Sequence, residues 1–363
     1  MSFINQMEPW IGEEEKKAVL EYLDSGGWLT EFKHTREFER VVAGYVGSRH
    51  ASVLSNGTVT LYAALAALGV GAGDEVIVPD YTMIASANTV VLAGARPVFV
   101  DVEPATACLD LDLTERALTP RTKAIMLVSV NGRAPDMARA VALARRHGVA
   151  LLEDAAQSLG SRWGGRHLGT FGALGSFSFS APKVITTGQG GVLVTDDDGL
   201  IERVRKVRDF GRVRDGVDEH VALGFNFKFT DLQAVVGLAQ MTKLPWRVER
   251  KKAMFARYRE GLADVPEVEL LPTDLEATSP WFIDVLVPDP RALRERLHAR
   301  GIGSRPFYPP VHTQAPYREA ARFPVAESLS RRGLWLPSSS FLDDATIARI
   351  CDEIRAFYRS GRA

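Results

Sequence analysis

The stretch Val149-Ala150-Leu151-Leu152-Glu153-Asp154-Ala155-Ala156-Gln157 joins an apolar run to a pair of carboxylates. A short run that is apolar at every position is typical of a strand buried on both faces of a sheet. Open α/β sheets bind their ligands at the carboxyl ends of the strands, so this acid pair stands where chemistry is expected. Taken alone, the two acids fit a helix N-cap equally well.

Other short apolar runs between residues 50 and 200 have the same character. The predicted strands are residues 51–54, 75–78, 97–100, 124–128, 149–152, 176–179 and 191–195. Helical patterns at residues 58–68, 85–93 and 137–147 separate several of these runs. Buried strands that alternate with helices predict an α/β fold with a mostly parallel central sheet flanked by helices.

The pattern changes after residue 230. A helix is predicted over about residues 230–262, kinked or broken near Pro245, followed by one strand at residues 281–287. Two further helices are predicted at residues 291–300 and 345–358, and Asp343 and Asp344 suit the N-cap of the second. We therefore predict a large α/β domain with an N-terminal segment in residues 1–240, and a small α+β domain in residues 241–363.

Composition and charge argue against several classes of protein. The 363 residues carry 44 Lys and Arg against 45 Asp and Glu, and this net charge of −1 is unlike that of a nucleic-acid-binding protein. The longest uncharged stretch is too polar to span a bilayer, and the first ten residues do not resemble a signal peptide. Cys108 and Cys351 match neither a metal-ligand spacing nor a CxxC pair. We expect a cytoplasmic protein without disulfides, with no metal site and no nucleic-acid or membrane partner.

The common nucleotide-binding motifs are missing from the sequence: no GxGxxG follows a strand and no GxxxxGK[ST] occurs. Ser55-Asn56-Gly57-Thr58 instead opens a predicted helix, where free N–H groups and the helix dipole favour an anion. The same residue types are also ordinary helix caps. A basic cluster is either a solvated helix face or a site for a diphosphate-bearing substrate: Arg203, Arg205, Lys206, Arg208, Arg212 and Arg214.

A single lysine stands in apolar surroundings in Ser176-Phe177-Ser178-Phe179-Ser180-Ala181-Pro182-Lys183. A desolvated lysine amine favours Schiff-base chemistry, although most lysines are merely solvated. The glycine-rich run at residues 188–191 indicates close backbone packing, and residues 224–233 lead from a loop into a helix. An anion cradle, an acid, a serine and an amine on one α/β sheet are the set that a pyridoxal phosphate (PLP) enzyme needs.

These motifs resemble those of the DegT-type sugar aminotransferases, which are PLP enzymes of fold type I, and especially those of the perosamine-synthase-like members. The resemblance extends from Trp28 to about Pro337. It rests on the order and spacing of five markers: Gly73-Asp74-Glu75-Val76-Ile77-Val78-Pro79, Glu153 to Gln157, Ser178 to Lys183 with Thr187-Gly188-Gln189-Gly190-Gly191, Gly224-Phe225-Asn226, and Gly301-Ile302 with Arg305 ahead of His312. It implies the aspartate-aminotransferase-like fold.

The resemblance implies a role for each marker residue. Lys183 would carry PLP as a Schiff base, and Asp154 would pair with the pyridine nitrogen so that the ring acts as an electron sink. The other expected cofactor contacts are Gln157 with the ring hydroxyl, and Gly57, Thr58 and Ser178 with the phosphate. Asn226 would reach the phosphate of a partner subunit, which implies a homodimer with shared sites. Candidate substrate contacts are Arg305, Tyr308 and His312, although Tyr308 suits a core position equally well.

Two segments depart from the family pattern. Where relatives stack an aromatic residue on the PLP ring, this sequence has Thr82-Met83, so the contact would come from the Met83 thioether or from a neighbour such as Tyr81. The family's His-Leu-Tyr-Gly segment is replaced by Ser129-Val130-Asn131-Gly132-Arg133. Because these positions lie near the active site in relatives, the departure bears on substrate preference more than on reaction type.

The resemblance predicts amino transfer from glutamate to a nucleotide-linked keto sugar, with a 4-keto-6-deoxyhexose as the first choice. A 3-keto sugar or an aminocyclitol ketone stays open. Lys183 favours amination, because some relatives that carry histidine there perform dehydration. Two other classes are weighed against this one: a serine hydrolase with Ser158 in the elbow-like Ala156-Gln157-Ser158-Leu159-Gly160, and a non-catalytic sensor with a PLP-enzyme fold.

Overall fold

A computed structural model describes residues 3–360 of the chain. Its central sheet has seven strands in the order β1-β9-β8-β5-β4-β2-β3, and every neighbouring pair is parallel except those made by β9. The strands are β1 (His50–Leu54), β2 (Glu75–Pro79), β3 (Arg96–Val100), β4 (Thr122–Val128), β5 (Ala150–Asp154), β8 (Leu174–Ser178) and β9 (Gly191–Thr195), with a small separate hairpin of β6 (Arg162–Trp163) and β7 (Arg166–His167). The predicted mostly parallel α/β sheet is confirmed.

Helices cover both faces of this sheet. Successive residues of one strand belong to different apolar clusters: Val53 packs with one, and Leu54 with another. Each face of the sheet therefore has its own core, as a parallel sheet requires. The helices of this part are α1 (Glu13–Asp24), α2 (Lys33–Val46), α3 (Gly57–Ala67), α4 (Ala85–Leu92), α5 (Leu111–Ala117), α6 (Met137–His147) and α7 (Asp198–Arg208).

A long helix, α8 (Asp231–Gly261), leads from the large sheet to the C-terminal part of the chain. The predicted break near Pro245 is wrong, because the helix continues through that residue. Proline removes one backbone hydrogen bond, but α8 packs against α1, α2 and the C-terminal helix α11 (Asp344–Ser360). These contacts maintain the helix through Pro245. The division of the chain at residue 240 falls inside α8, and the two-domain organisation stays a proposal.

The C-terminal part contains a second, antiparallel sheet in the order β10-β11-β13-β12. Its elements are β10 (Glu269–Leu270), β11 (Ile283–Leu286), β12 (Arg305–Pro306) and β13 (Gly333–Leu336), with α9 (Pro290–Ala299), α10 (Pro324–Arg332) and α11 (Asp344–Ser360). Asp343 caps α11 by accepting the N–H of Thr346 at 2.7 Å. Of the four strands of this sheet, only β11 was predicted: β10 and β12 have two residues each and no readable alternation, and the four-residue β13 was missed as well. Three short 3₁₀ turns lie at Val130–Gly132, Val311–Thr313 and Ala315–Tyr317.

Two observations complete the description. Within residues 3–360, each helix is either too short or too polar to cross a bilayer. Cys108 and Cys351 are both buried and free.

Candidate active site

The two acids at the end of β5 have different surroundings. Glu153 is fully buried and accepts backbone N–H groups of Gly169, Phe171 and Gly172 at 2.5–2.7 Å, so it anchors the following loop. The carboxylate of Asp154 accepts a hydrogen bond from the hydroxyl of Ser86 at 2.8 Å and another from the backbone N–H of Ala156 at 3.2 Å. Burial raises the pKa of Asp154 above its ordinary value, and these hydrogen bonds oppose that shift. Asp154 is therefore the acid available to a ligand.

Lys183 lies in the loop that follows β8, and its amine faces an aromatic ring. The Nζ atom is 3.8 Å from the centre of the Trp281 ring, a cation–π distance. Desolvation lowers the pKa of Lys183 from 10.5 to about 8, while the charge of Asp154 acts in the opposite direction and that of Arg305 acts with it. An amine with such a pKa is neutral in roughly a tenth of molecules at pH 7, a far larger share than for an ordinary lysine, and the neutral form is the one that nucleophilic chemistry requires.

The small sheet supplies the other wall of the site. Arg305 on β12 is exposed, and its guanidinium lies 5.8 Å from the ring of Tyr308 and 5.5 Å from that of Trp335. Tyr308 packs edge-on against Trp335 at 4.8 Å and is half-buried. Desolvation raises the pKa of Tyr308 to about 12, so its hydroxyl stays protonated. A positive charge thus lies within electrostatic reach of Lys183, and a phenolic donor lies within electrostatic reach of Asp154.

The N-terminus of α3 packs directly on Ser178. Asn56 caps the helix by accepting the N–H groups of Thr58 and Val59 at 3.0 Å, so the capping interpretation of this stretch is confirmed. A Cβ atom on Gly57 would lie 2.9 Å from the Cβ of Ser178 and 3.1 Å from its hydroxyl. The missing side chain at Gly57 therefore leaves a helix N-terminus and the Ser178 hydroxyl together, with the exposed Thr58 beside them.

Gln157 is buried beside the end of β4. Its Oε1 accepts the backbone N–H of Asn131 at 2.8 Å, which orients the amide and leaves Nε2 as its donor group. The side chain of Asn131 in turn exchanges two hydrogen bonds with the backbone of Phe282, at 2.6 and 2.8 Å. The segment that replaces the family's His-Leu-Tyr-Gly therefore links a predicted cofactor contact to β11.

Met83 and Tyr81 can be distinguished by exposure. Tyr81 is 1% exposed and packs against Phe307 and Tyr308, so it belongs to the core and has no open face for a ring to stack on. Met83 is 45% exposed, and its sulfur accepts the N–H of Ala85 at 3.1 Å. Of the two candidates for a stacking contact, the structure leaves Met83.

Two predicted residues lie away from the amine. His312 is buried, and its Nδ1 and its backbone N–H both contact the carboxylate of Asp80, at 2.7 and 2.8 Å. The proposed contact of His312 with substrate stays a prediction. Asn226 is exposed, and its backbone bridges to Asp209 in a hairpin-like segment on the surface. Its expected role toward a partner subunit likewise stays a prediction.

The hydrolase alternative is wrong. Ser158 is fully buried, its hydroxyl donates to the carbonyl of Ala155 at 3.2 Å, and turns rather than a helix follow it. A nucleophile elbow requires an exposed hydroxyl at a strand-to-helix turn. In the basic cluster, Arg205 pairs with Glu202 and Arg212 pairs with Asp209 and Asp218. Arg208 is buried between Glu31 and Glu39, at 2.6 and 2.8 Å. Arg208 is therefore structural.

Several residues of the site were not predicted from the sequence. The indole of Trp281 lies under the amine, Trp335 supports Tyr308, and Ser86 bonds to Asp154. No local motif marks these positions, because each comes from an element far along the chain from the residue that it contacts. The tryptophan at the start of the predicted strand at residues 281–287 was the one available signal.

Comparisons with known proteins identify the family of the chain. The model of the DegT/DnrJ/EryC1/StrS aminotransferase family matches residues 9–355. The chain is 35% identical over 362 residues to GDP-perosamine synthase of Escherichia coli O157:H7, covering 99% of both chains, and 36% identical over 361 residues to that of Caulobacter vibrioides, covering 96% of both.

Solved structures of aminotransferases superpose closely on the chain. DesV of S. venezuelae, solved with a ketimine intermediate, gives a TM-score of 0.90 at 36% identity over 95% of this chain and 94% of that one. PseC of Helicobacter pylori, an aminotransferase of pseudoaminic acid biosynthesis, gives 0.93 at 27% identity over 99% and 100%. The fold is thus that of the PLP aminotransferases, and this chain belongs to the DegT/DnrJ/EryC1/StrS aminotransferase family.

Proposed function

We propose that the enzyme transfers an amino group from glutamate to a nucleotide-linked keto sugar, with PLP as cofactor and a 4-keto-6-deoxyhexose as the sugar. The observation that carries this proposal is the amine of Lys183, desolvated and within electrostatic reach of the buried Asp154 at the carboxyl end of a parallel sheet. The similarity to GDP-perosamine synthases supports a GDP-linked substrate.

The residues present fit PLP. Gly57 leaves open a cradle that a Cβ would fill, bordered by the Ser178 hydroxyl and the N-terminus of α3, and this suits a phosphate. The carboxylate of Asp154 suits a protonated pyridine nitrogen, and the free donor of Gln157 suits the ring oxygen. Met83 offers a thioether face to the ring. When bound, PLP supplies an electron sink that stabilises negative charge on the carbon next to the transferred nitrogen.

Lys183 holds and moves the proton in this scheme. With a pKa of about 8, its Nζ can accept a proton from carbon and return it without a large energetic penalty in either direction. The ring of Trp281 stabilises the protonated form at 3.8 Å. The charge of Asp154 acts in the same sense, so the amine is kept between two stabilising groups while it carries the proton.

Arg305 and Tyr308 are proposed to orient the substrates. The exposed guanidinium provides a positive charge for an anionic group, which both the glutamate carboxylate and the sugar nucleotide diphosphate carry. Tyr308 provides a hydroxyl that stays protonated and can donate to a ketone or sugar oxygen. His312, whose ring is held by the carboxylate of Asp80, is proposed as a further substrate contact.

We infer a cytoplasmic homodimer with sites shared between subunits. The segment around Asn226 exposes several large apolar side chains, and such side chains on one face are typical of an interface: Phe210 (40%), Val213 (45%), Val221 (52%), Leu223 (79%) and Phe225 (37%). Asn226 lies among them with an exposed side chain, available to a second subunit's phosphate. The two free cysteines agree with a reducing compartment.

The visible spectrum of the PLP-loaded protein tests the proposed function. Glutamate is expected to remove the absorption band of the lysine-linked cofactor, and either a GDP-linked or a dTDP-linked 4-keto-6-deoxyhexose is expected to restore it. The sugar that restores the band identifies the nucleotide, and restoration only by a 3-keto sugar or a cyclitol ketone would refute the proposed substrate. The Lys183→Ala protein is expected to lose borohydride-trapped PLP, and retained trapping would refute the proposed chemistry.

A further inference from the structure

Trp281 makes two separate contacts with the loop that carries the amine. Its ring lies 3.8 Å from the Nζ of Lys183, and its indole N–H donates to the carbonyl of Pro182 at 2.7 Å. One side chain thus contacts both the reactive atom and the backbone immediately before it. The position of the amine depends on where Trp281 lies.

The backbone around Trp281 is held from two sides. The side chain of Asn131 pairs with both polar backbone atoms of Phe282. On the other side, the Nζ of Lys251, from the middle of α8, donates to the carbonyl of Trp281 at 3.0 Å and to that of Ser338 just beyond β13. Lys251 therefore ties the long helix to β11 and β13 at the residue that contacts Lys183.

The chemistry of Lys251 is unusual for a structural residue. Its side chain is wholly buried, and in residues 3–360 its hydrogen-bond acceptors are main-chain carbonyls rather than carboxylates. Desolvation lowers its pKa to about 7, with the charge of Arg247 acting in the same direction. An apolar side chain of similar volume would fill this space without the cost of burying an amine. The directional donor is what an apolar residue cannot supply.

We propose that Lys251 is a positioning residue for the amino-transfer reaction, which acts by holding Trp281 against Lys183. The inference rests on the proposed role of Lys183. Lys251 itself contacts neither cofactor nor substrate. The amine of Lys251 holds the carbonyl of Trp281 by a hydrogen bond. The indole of Trp281 in turn holds the carbonyl of Pro182 and contacts the amine of Lys183, which reaches the carbon whose proton it moves. Small displacements of a catalytic group can cost up to about a hundredfold in rate.

A double-mutant cycle tests this chain of contacts. Lys251→Met keeps the length of the side chain and removes the donor, and Trp281→Phe keeps an aromatic ring and removes the indole N–H. Each variant is expected to slow the single-turnover loss of the cofactor band with saturating glutamate by about tenfold. Because both act through the same contact, the double variant is expected to be slowed by about tenfold as well, rather than by about a hundredfold as for independent sites.

A second measurement reports the position of the loop that carries Lys183 and does not require turnover. Hydrogen–deuterium exchange of the peptide that contains residues 180–186, measured on the PLP-loaded protein, is expected to rise in each single variant and no further in the double. Lys252→Met is the matched control, because Lys252 is the next residue on α8 and donates to Glu276 on the surface. This control is expected to leave both the rate and the exchange within about twofold of the unmodified protein.

The outcomes separate this inference from the proposed function. Multiplicative slowing in the double variant, or unchanged exchange in the single variants, would overturn the positioning role. If the Lys251→Met protein does not fold, the Trp281→Phe protein still tests the chain of contacts. An unchanged rate together with unchanged exchange in that variant overturns the positioning role of Lys251. Failure of the proposed function itself appears elsewhere, as PLP that is still trapped by borohydride on the Lys183→Ala protein.

Discussion

Gly57→Ala is the substitution that best separates cofactor binding from folding. α3 begins at Gly57, whose φ is not in the left-handed region, so the backbone there accepts alanine. A Cβ atom would however lie 2.9 Å from the Cβ of Ser178 and 3.1 Å from its hydroxyl. Ordinary contact of such atoms requires the gap to open by about half an ångström. The group that must move is the proposed phosphate ligand.

The substitution has one effect on folding and a separate effect on the affinity for PLP. Alanine in place of glycine favours the helix by roughly 0.5–1 kcal/mol, whereas overpacking costs about 1–3 kcal/mol, so the free energy of unfolding is expected to fall by at most about 2.5 kcal/mol. Displacement of Ser178 and narrowing of the cradle act on the bound phosphate directly. We expect the affinity for PLP to fall by about tenfold to a hundredfold, which corresponds to roughly 1.4–2.8 kcal/mol.

The assay is fluorescence titration of the cofactor-free protein with PLP, together with thermal unfolding of the same preparation. Gly44→Ala is the control, because Gly44 lies on the exposed side of α2 and a Cβ there would meet nothing within 4 Å. This control is expected to keep the affinity and to raise the unfolding temperature slightly. If Gly57→Ala binds PLP as tightly as the Gly44→Ala protein does, the assignment of the phosphate cradle is refuted.

Three further predictions concern other parts of the chain. Asp154→Asn removes the charge opposite the pyridine nitrogen, so single-turnover amine transfer is expected to slow by at least about a hundredfold while borohydride still traps PLP on Lys183, and near-normal turnover would contradict the pairing. Asn226→Ala is expected to weaken PLP retention during dialysis without changing the molar mass of the proposed dimer measured by light scattering, and unchanged retention would argue against a shared site. The hydrogen bond from Arg96 lowers the pKa of Glu75 from 4.5 to about 2, so this ionised group stabilises the fold above about pH 4.5 and the effect is lost as the pH falls toward 2. Glu75→Gln is thus expected to lower the free energy of unfolding at pH 7 by about 1–3 kcal/mol and by less near pH 2, and an equal loss at both pH values would refute the charge-based reason.

The large sheet could be predicted from the sequence because its strands are apolar at every position. All seven apolar runs form strands of the sheet. The strand Gly191–Thr195 and the helix Met137–His147 have the predicted bounds. Strand ends shifted elsewhere: the run at residues 176–179 became Leu174–Ser178, because Gly175 pairs with both neighbours although glycine breaks the apolar pattern. The amphipathic helices α1 and α2 were not predicted, since no motif drew attention to that region.

The site was predictable only in part, and the reason is distance along the chain. Lys183, Asp154 and Ser178 follow strands whose order in the sheet brings their ends to one edge, so strand patterns and the family resemblance led to them. Trp281 contacts the amine and Lys251 contacts the carbonyl of Trp281, in both cases through tertiary packing alone. Their contacts depend on the angle between α8 and the small sheet, which local patterns do not encode.

The departure from the family's His-Leu-Tyr-Gly segment has a structural explanation. Asn131 adopts a φ of 54°, in the left-handed region that asparagine tolerates better than most residues. This conformation directs its N–H to Gln157 and its amide to Phe282, while Arg133 forms a buried ion pair with Asp284 on β11.

The changed residues therefore lie at the joint between the two sheets, and they leave Lys183 and Asp154 in place. Strand pairing connects β11 to β13 and, through it, to β12. Because β12 carries Arg305 and leads to Tyr308, the two proposed substrate contacts, we expect the departure to act on how a ketone is presented rather than on how its nitrogen is delivered. We therefore expect reaction type to depend on the edge of the parallel sheet and ketone preference to depend on the small antiparallel one.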